Sequence, residues 1–141
     1  MSLRNRSAAA EWLRGRRAEE PGVRVAIVAA GERRPDGTLR PAVEDLWGAG
    51  ALVAALDDWP ASPEARAAAA AFTAVADDVR AALHDCASGR ELHGMGFPDD
   101  VDTAAELDES TSVPILRDGA FIASRSNRAL GGGCRDGGGA P

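Results

Sequence analysis

Apolar positions recur along the chain in helical and strand-like periods. Ala8, Ala9, Trp12 and Leu13 share one face of a predicted helix that Asn5 or Ser7 can cap and that runs to about Arg17. Glu19-Glu20-Pro21-Gly22 then predicts a turn. Val23 to Ala30 is a nearly continuous apolar run with β-branched residues, bounded by Gly22 and Gly31, which predicts a strand buried on both faces. A polar loop, Gly31 to Arg40, carries the turn signal Pro35-Asp36-Gly37.

Pro41 suits the first turn of a helix, predicted to reach about Asp57. Residues 48–56 are apolar almost all round, so that helix should be deeply packed, and Gly48 and Gly50 should let another element approach. Ser62-Pro63-Glu64 starts a further helix, predicted to continue to about Cys86 with Phe72, Val75, Val79 and Leu83 in its core stripe. On it Cys86 reads as a buried thiol, and His84 as a solvated helix residue. Ser88-Gly89-Arg90-Glu91 has the spacing of a capping box and should open a short helix ending by Gly94 or Gly96, with His93 exposed. Phe97-Pro98-Asp99-Asp100 opens another, to about Leu107. Val113 to Arg117, Asp118-Gly119 and Ala120 to Ala123 read as a β-hairpin with a two-residue turn. From Ser124 onward, Arg, Ser and Gly without periodicity predict a disordered tail.

The order helix, strand, loop, helix, then helices and a hairpin, predicts an α/β fold, and 141 residues suffice for one domain. The net charge of −6 excludes generic binding to nucleic acid or an anionic membrane, but not a small anionic substrate held by local arginines. All 16 basic residues are Arg, so no Schiff-base or P-loop lysine is available. The basic end of the first helix, Arg14, Arg16 and Arg17, reads as a solvated terminus favoured by the helix dipole. Cys86 and Cys134 are too far apart for a metal-ligand pattern, and Cys134 falls in the Gly-rich tail. With no apolar leader region at the N-terminus and no run that could span a bilayer, the expected location is cytoplasmic.

In open α/β sheets, ligands bind beyond the carboxyl ends of strands. The strand at Val23–Ala30 runs into Gly31-Glu32-Arg33-Arg34, and Arg40, Glu44 and Asp45 follow. Gly31 permits close backbone approach to a ligand. Glu32, with Glu44 and Asp45, offers oxygen ligands for a hard cation such as Mg²⁺. Arg33, Arg34 and Arg40 offer planar donors to phosphate or sulfonate oxygens. The same pattern also suits an ordinary charged surface loop before a helix.

Ala29-Ala30-Gly31-Glu32-Arg33, then Pro35 through Leu46, then Gly48-Ala49-Gly50, resembles the 2-phosphosulpholactate phosphatase family. Ser2-Leu3-Arg4-Asn5, Ser88 through Leu92, Gly96-Phe97, Asp100-Val101 and Val113-Pro114 to Phe121 extend the resemblance over about residues 2–123. It implies a three-layer α/β/α domain with a mixed sheet, present here as an incomplete C-terminal portion (1–123) followed by a tail (124–141), because the family domain is longer on its N-terminal side. The activity implied is Mg²⁺-dependent hydrolysis of 2-phosphosulpholactate to sulpholactate and phosphate, which in methanogens belongs to coenzyme M biosynthesis. Glu32, Glu44 and Asp45 would then be metal or water-positioning carboxylates, while Gly31, Arg33, Arg40 and Arg90 would bind the substrate. The expected partners are a small, sulfonated phosphate ester and either a homo-oligomer or a complementing N-terminal half. The alternative is a non-catalytic fragment, or an anion-binding or assembly module that needs that half.

Overall fold

The computed structural model describes residues 1–125. After a 3₁₀ turn at Leu3–Asn5 comes helix α1 (Arg6–Glu19). Asn5 precedes α1 but does not cap it. Its side-chain amide donates instead to the Ser112 carbonyl at 2.8 Å, and its Oδ1 accepts from the Ser2 N–H at 2.8 Å. The cap comes from far along the chain: Asp108 accepts from the Ser7 N–H at 2.8 Å and from Arg6 Nε at 3.0 Å. An N-terminal donor of α1 and the buried Asn5 are thus both satisfied by the segment that leads into the C-terminal hairpin.

The basic end of α1 is ion-paired within the fold. Arg14 donates to the Ala55 carbonyl at 2.7 Å and pairs with Asp58, while the Arg17 guanidinium lies 4.9 Å from the centre of the Trp59 ring. The predicted solvated terminus is therefore partly engaged, by Ala55 and Asp58 and by the Trp59 ring.

Strands β1 (Glu32–Arg33) and β2 (Leu39–Arg40) form a small antiparallel hairpin where a loop was predicted. Helix α2 (Val43–Ala55) follows. From Gly48 onward it is apolar all round, and it is buried on two sides, with Ala51 in a core with Leu3, Phe72, Val79, Leu83, Val101 and Ala105, and Leu52 with Leu56 against Ala9 and Ala10 of α1. Its closest neighbour is helix α3 (Pro63–Thr73), which starts at Ser62, whose Oγ accepts from the Ala65 N–H. A Cβ on Gly50 would lie 2.0 Å from the Ala68 carbonyl oxygen, so the α2–α3 approach requires glycine there.

The long helix predicted over 62–86 is broken. It ends at Thr73, passes through a 3₁₀ turn at Ala76–Asp78 and restarts as α4 (Val79–Asp85), capped by Asp78, which accepts from the Ala81 N–H at 3.0 Å. Across the break Phe72, Val79 and Leu83 still share one core, as the predicted stripe had them. Helices α5 (Ala87–Met95) and α6 (Pro98–Ala105) follow, with Gly96 left-handed at the end of α5. The hairpin of β3 (Ser112–Arg117) and β4 (Ala120–Arg125) turns at Asp118-Gly119, both with positive φ, as the two-residue turn predicted. Beyond Ser124 and Arg125, which end β4, the predicted tail lies outside the described residues, as does Cys134.

The mixture of helix and strand bears out the α/β class, and both sheets among the described residues are two-stranded and antiparallel. The predicted strand at Val23–Ala30 is the main correction. Among the described residues no strand pairs with it, and most of it is exposed, with Val28 at 80%. Only Ile27 packs inward, against the cluster of Ala9, Leu52 and Leu56. Apolar composition predicted burial, but burial of both faces needs neighbours on each edge, and the described chain supplies a helical layer on one face alone. No helix among the described residues is long and apolar enough to cross a membrane.

Candidate functional site

The extended segment ends at Gly31, whose φ of 69° and position 2.8 Å (for a built Cβ) from the Arg40 carbonyl leave no room for a side chain. Its N–H donates to Asp45 Oδ2 at 2.7 Å. The approach predicted for a ligand is thus made by the protein's own carboxylate. Glu44 and Asp45 lie in the first turn of α2, where the helix dipole favours negative charge, and both are half-buried. They line one cavity of about 310 Å³ with Leu3, Val28, Ala30, Gly48 and Leu83.

A second cluster forms on the hairpin. Glu32 and Arg40 are directly opposed across β1 and β2, so their side chains meet, and the Arg40 guanidinium donates to Glu32. It also makes a bidentate pair with Glu91, at 2.6 and 3.0 Å, and donates to Ser88 Oγ at 3.1 Å. Two carboxylates hold the Arg40 charge and raise its pKa above the ordinary arginine value, the Glu91 hydrogen bond being the largest cause. Reciprocally, the Arg40 hydrogen bond holds the Glu91 carboxyl below the usual carboxylate range, against a smaller opposing effect of desolvation.

Ser88 and Glu91 were predicted as a capping box, and the structure corrects this. Helix α5 is capped by Cys86, whose Sγ accepts from the Gly89 N–H at 3.4 Å. Serine and glutamate three residues apart share one helix face. Here that face meets Arg40, so the right signal was present with a different use. Cys86 is half-buried, not a core thiol: its Sγ lies 3.2 Å from the Leu83 carbonyl and 3.8 Å from Glu44 Oε2.

The expected site residues therefore divide. Glu44, Asp45 and Gly31 are gathered at the start of α2. Glu32 and Arg40 are joined on the hairpin with Ser88 and Glu91, which sequence reasoning did not single out as site residues. Arg33 is exposed beside Glu32. Arg90 points elsewhere, paired with Asp85. Among the described residues, no three His, Cys, Asp or Glu side chains are arranged to hold an ion, so Glu32 does not join Glu44 and Asp45 as a third ligand. Two carboxylates still fit Mg²⁺, which commonly takes one or two from protein and completes its shell with water and substrate phosphate.

His84 is likewise corrected. It is 26% exposed and tied on both ring nitrogens, Nε2 to Asp102 Oδ1 and Nδ1 to His93 Nε2, each at 2.7 Å. The hydrogen bond from His84, ahead of the Arg80 charge, keeps Asp102 below its ordinary pKa. With Nε2–H donated to the carboxylate, Nδ1 accepts from His93, and one imidazole joins α4, α5 and α6.

A family model described as 2-phosphosulpholactate phosphatase matches residues 1–119. The chain belongs to the 2-phosphosulpholactate phosphatase family. As a member of that family it is a phosphoric monoester hydrolase, and its substrate is a small phosphate ester.

The Arg40–Glu91 tie has a testable pH signature. Glu91 has a depressed folded-state pKa, so its stabilising contribution is complete above the ordinary value of 4.5 and is lost as pH falls through the depressed one. Glu91→Gln should lower the melting temperature at about pH 6 and converge on wild type by about pH 3. Thermal melts of the two proteins across that range would show parallel curves if the pair contributed nothing.

Proposed function

We propose that the chain hydrolyses 2-phosphosulpholactate to sulpholactate and phosphate with Mg²⁺, using the segment from Gly31 to Asp45. The observation that carries this reading is the cavity at the start of α2, with two half-buried carboxylates, Glu44 and Asp45, in its wall. Glu44 and Asp45 would hold the cation, which supplies neutralisation of phosphoryl charge and orientation of a water. Gly31 fixes Asp45 through its N–H, leaving the second carboxylate oxygen for the ion. Arg33 clamps phosphate or sulfonate oxygens. Arg40, already engaged by Glu32, Glu91 and Ser88, acts as a positioning residue that ties Glu32 to α5. Arg90, engaged by Asp85, has no part in this scheme. A cytoplasmic location, and for methanogen members a place in coenzyme M biosynthesis, go with the same reading.

Steady-state kinetics with 2-phosphosulpholactate and with the same phosphate ester lacking the sulfonate test it. The sulfonated ester should have the higher kcat/KM, and Arg33→Ala should raise KM about tenfold, the loss of roughly one charge-assisted pair. Equal kcat/KM for both esters would remove the sulfonate from the account.

A further inference from the structure

Two histidines stand outside the carboxylate site and are tied to each other. The chain of contacts runs from α6 through α4 to α5: Asp102 Oδ1 meets His84 Nε2, and His84 Nδ1 meets His93 Nε2, each at 2.7 Å. An ionised carboxylate only accepts, so His84 Nε2 carries a proton. The contact between the two rings then holds one proton and no more. With the pair neutral, His93 Nε2 donates to His84 Nδ1. With one proton added, His84 is an imidazolium that donates to both Asp102 and His93, and the His93 ring carries its own proton on Nδ1. With a second proton added, two N–H groups and two positive charges face each other, and the hydrogen bond between the rings is lost.

The surroundings decide which ring moves. His84 is held from both sides, whereas His93 is exposed near the end of α5. Arg80 of α4 pairs with Asp102 at 2.6 Å, and Asp99 and Asp100 lie in the first turn of α6. On α5, Arg90 is turned to Asp85 and Glu91 to Arg40, while the Cys86 thiol between α4 and α5 faces Leu83 and Glu44. None of these groups is bonded to His93. The start of α5 is fixed against α4, because a Cβ on Gly89 would lie 1.9 Å from the Leu83 carbonyl oxygen. Its far end is joined to α4 through the histidines. We propose that His84 and His93 form an acid-sensitive latch, closed with at most one added proton and opened by the second, so that the half of α5 bearing Glu91 and His93 loosens together with its tie to Arg40 on the hairpin. This inference stands apart from the phosphatase chemistry, because its readout involves no turnover.

The open pair binds one proton more than the closed pair, so acid favours opening by up to about tenfold per pH unit below the ordinary histidine value of about 6.5. The test is amide hydrogen exchange of the full chain at about pH 7.5 and about pH 5, corrected for the intrinsic pH dependence of exchange. Protection of residues 91–95 is expected to fall by at least about tenfold at the lower pH. Asp102 and Glu91 stay ionised over that window, since hydrogen bonds from His84 and from Arg40 hold both below their ordinary pKa. His93→Gln offers His84 Nδ1 an amide N–H that does not titrate, so its protection should stay constant within about threefold. His93→Ala should show the low protection at both pH values. Should the Gln variant not fold, imidazole nitrogen spectra of the wild type decide: protection must disappear as the pair takes up its second proton. Wild-type protection that is constant over the window, an equal fall in His93→Gln, or protection retained with both rings doubly protonated would each overturn the inference.

Discussion

Gly50→Ala is expected to destabilise the protein by about 3 kcal/mol, a large share of the roughly 5–15 kcal/mol that holds a domain of this size together. The added Cβ would sit 2.0 Å from the Ala68 carbonyl oxygen, 2.6 Å from its carbon and 3.1 Å from Phe72 Cβ. Two of those atoms are backbone, so relief requires α2 and α3 to separate. Separation would loosen the core that Ala51 and Phe72 share. The melting temperature should fall by roughly 10 °C. Gly48 is the control within the same helix, with nothing within 4 Å of a built Cβ. Gly48→Ala should stabilise by about 0.5–1 kcal/mol, because only helix propensity changes. Urea denaturation of both variants measures the contrast, and a neutral Gly50→Ala would mean that the two helices do not approach as described.

Asp45→Asn should reduce phosphate release by about 100-fold while shifting stability by less than about 1 kcal/mol. The asparagine side-chain oxygen can still accept the Gly31 N–H, so the local turn survives and the charge alone is lost. Asp45→Ala removes both, and should add a stability cost of about 1–2 kcal/mol for the unsatisfied Gly31 donor. Comparing the two variants separates the chemical role of the carboxylate from its structural one. Turnover of the Asn variant within about threefold of wild type would place the reaction elsewhere.

Much of the helical framework was legible because its signals are local. The apolar stripe of α1, the Ser62-Pro63 start of α3 and the Asp118-Gly119 turn each act within a few residues. The break between Thr73 and Val79 was not legible: residues 74–78 carry no Gly or Pro, and the spacing of Phe72, Val79 and Leu83 suits an unbroken helical stripe equally well. The strand at Val23–Ala30 failed for the opposite reason. Its composition is that of a central strand, but a strand is completed by pairing, and pairing is not a property of the segment itself.

The candidate site was legible in part, and along the same line. Glu44 and Asp45 could be found from their place after Pro41, and Glu32 with Arg40 from their flanking of a turn. Glu91 could not be assigned to Arg40 from sequence, because the contact crosses 51 positions and its spacing to Ser88 suits a helix cap equally well. His84 was misjudged for a related reason: Asp102, 18 positions on, supplies the partner that draws it inward.

The central claim is that the carboxylates at the start of α2 serve a Mg²⁺-dependent phosphomonoesterase. Its most direct test is phosphate release from 2-phosphosulpholactate by the folded chain, with Mg²⁺, with a chelator in excess, and for Asp45→Asn with Mg²⁺. The account predicts release with Mg²⁺ and a fall of about 100-fold in each of the other two arms. Release that persists undiminished in the chelator and in Asp45→Asn would contradict it.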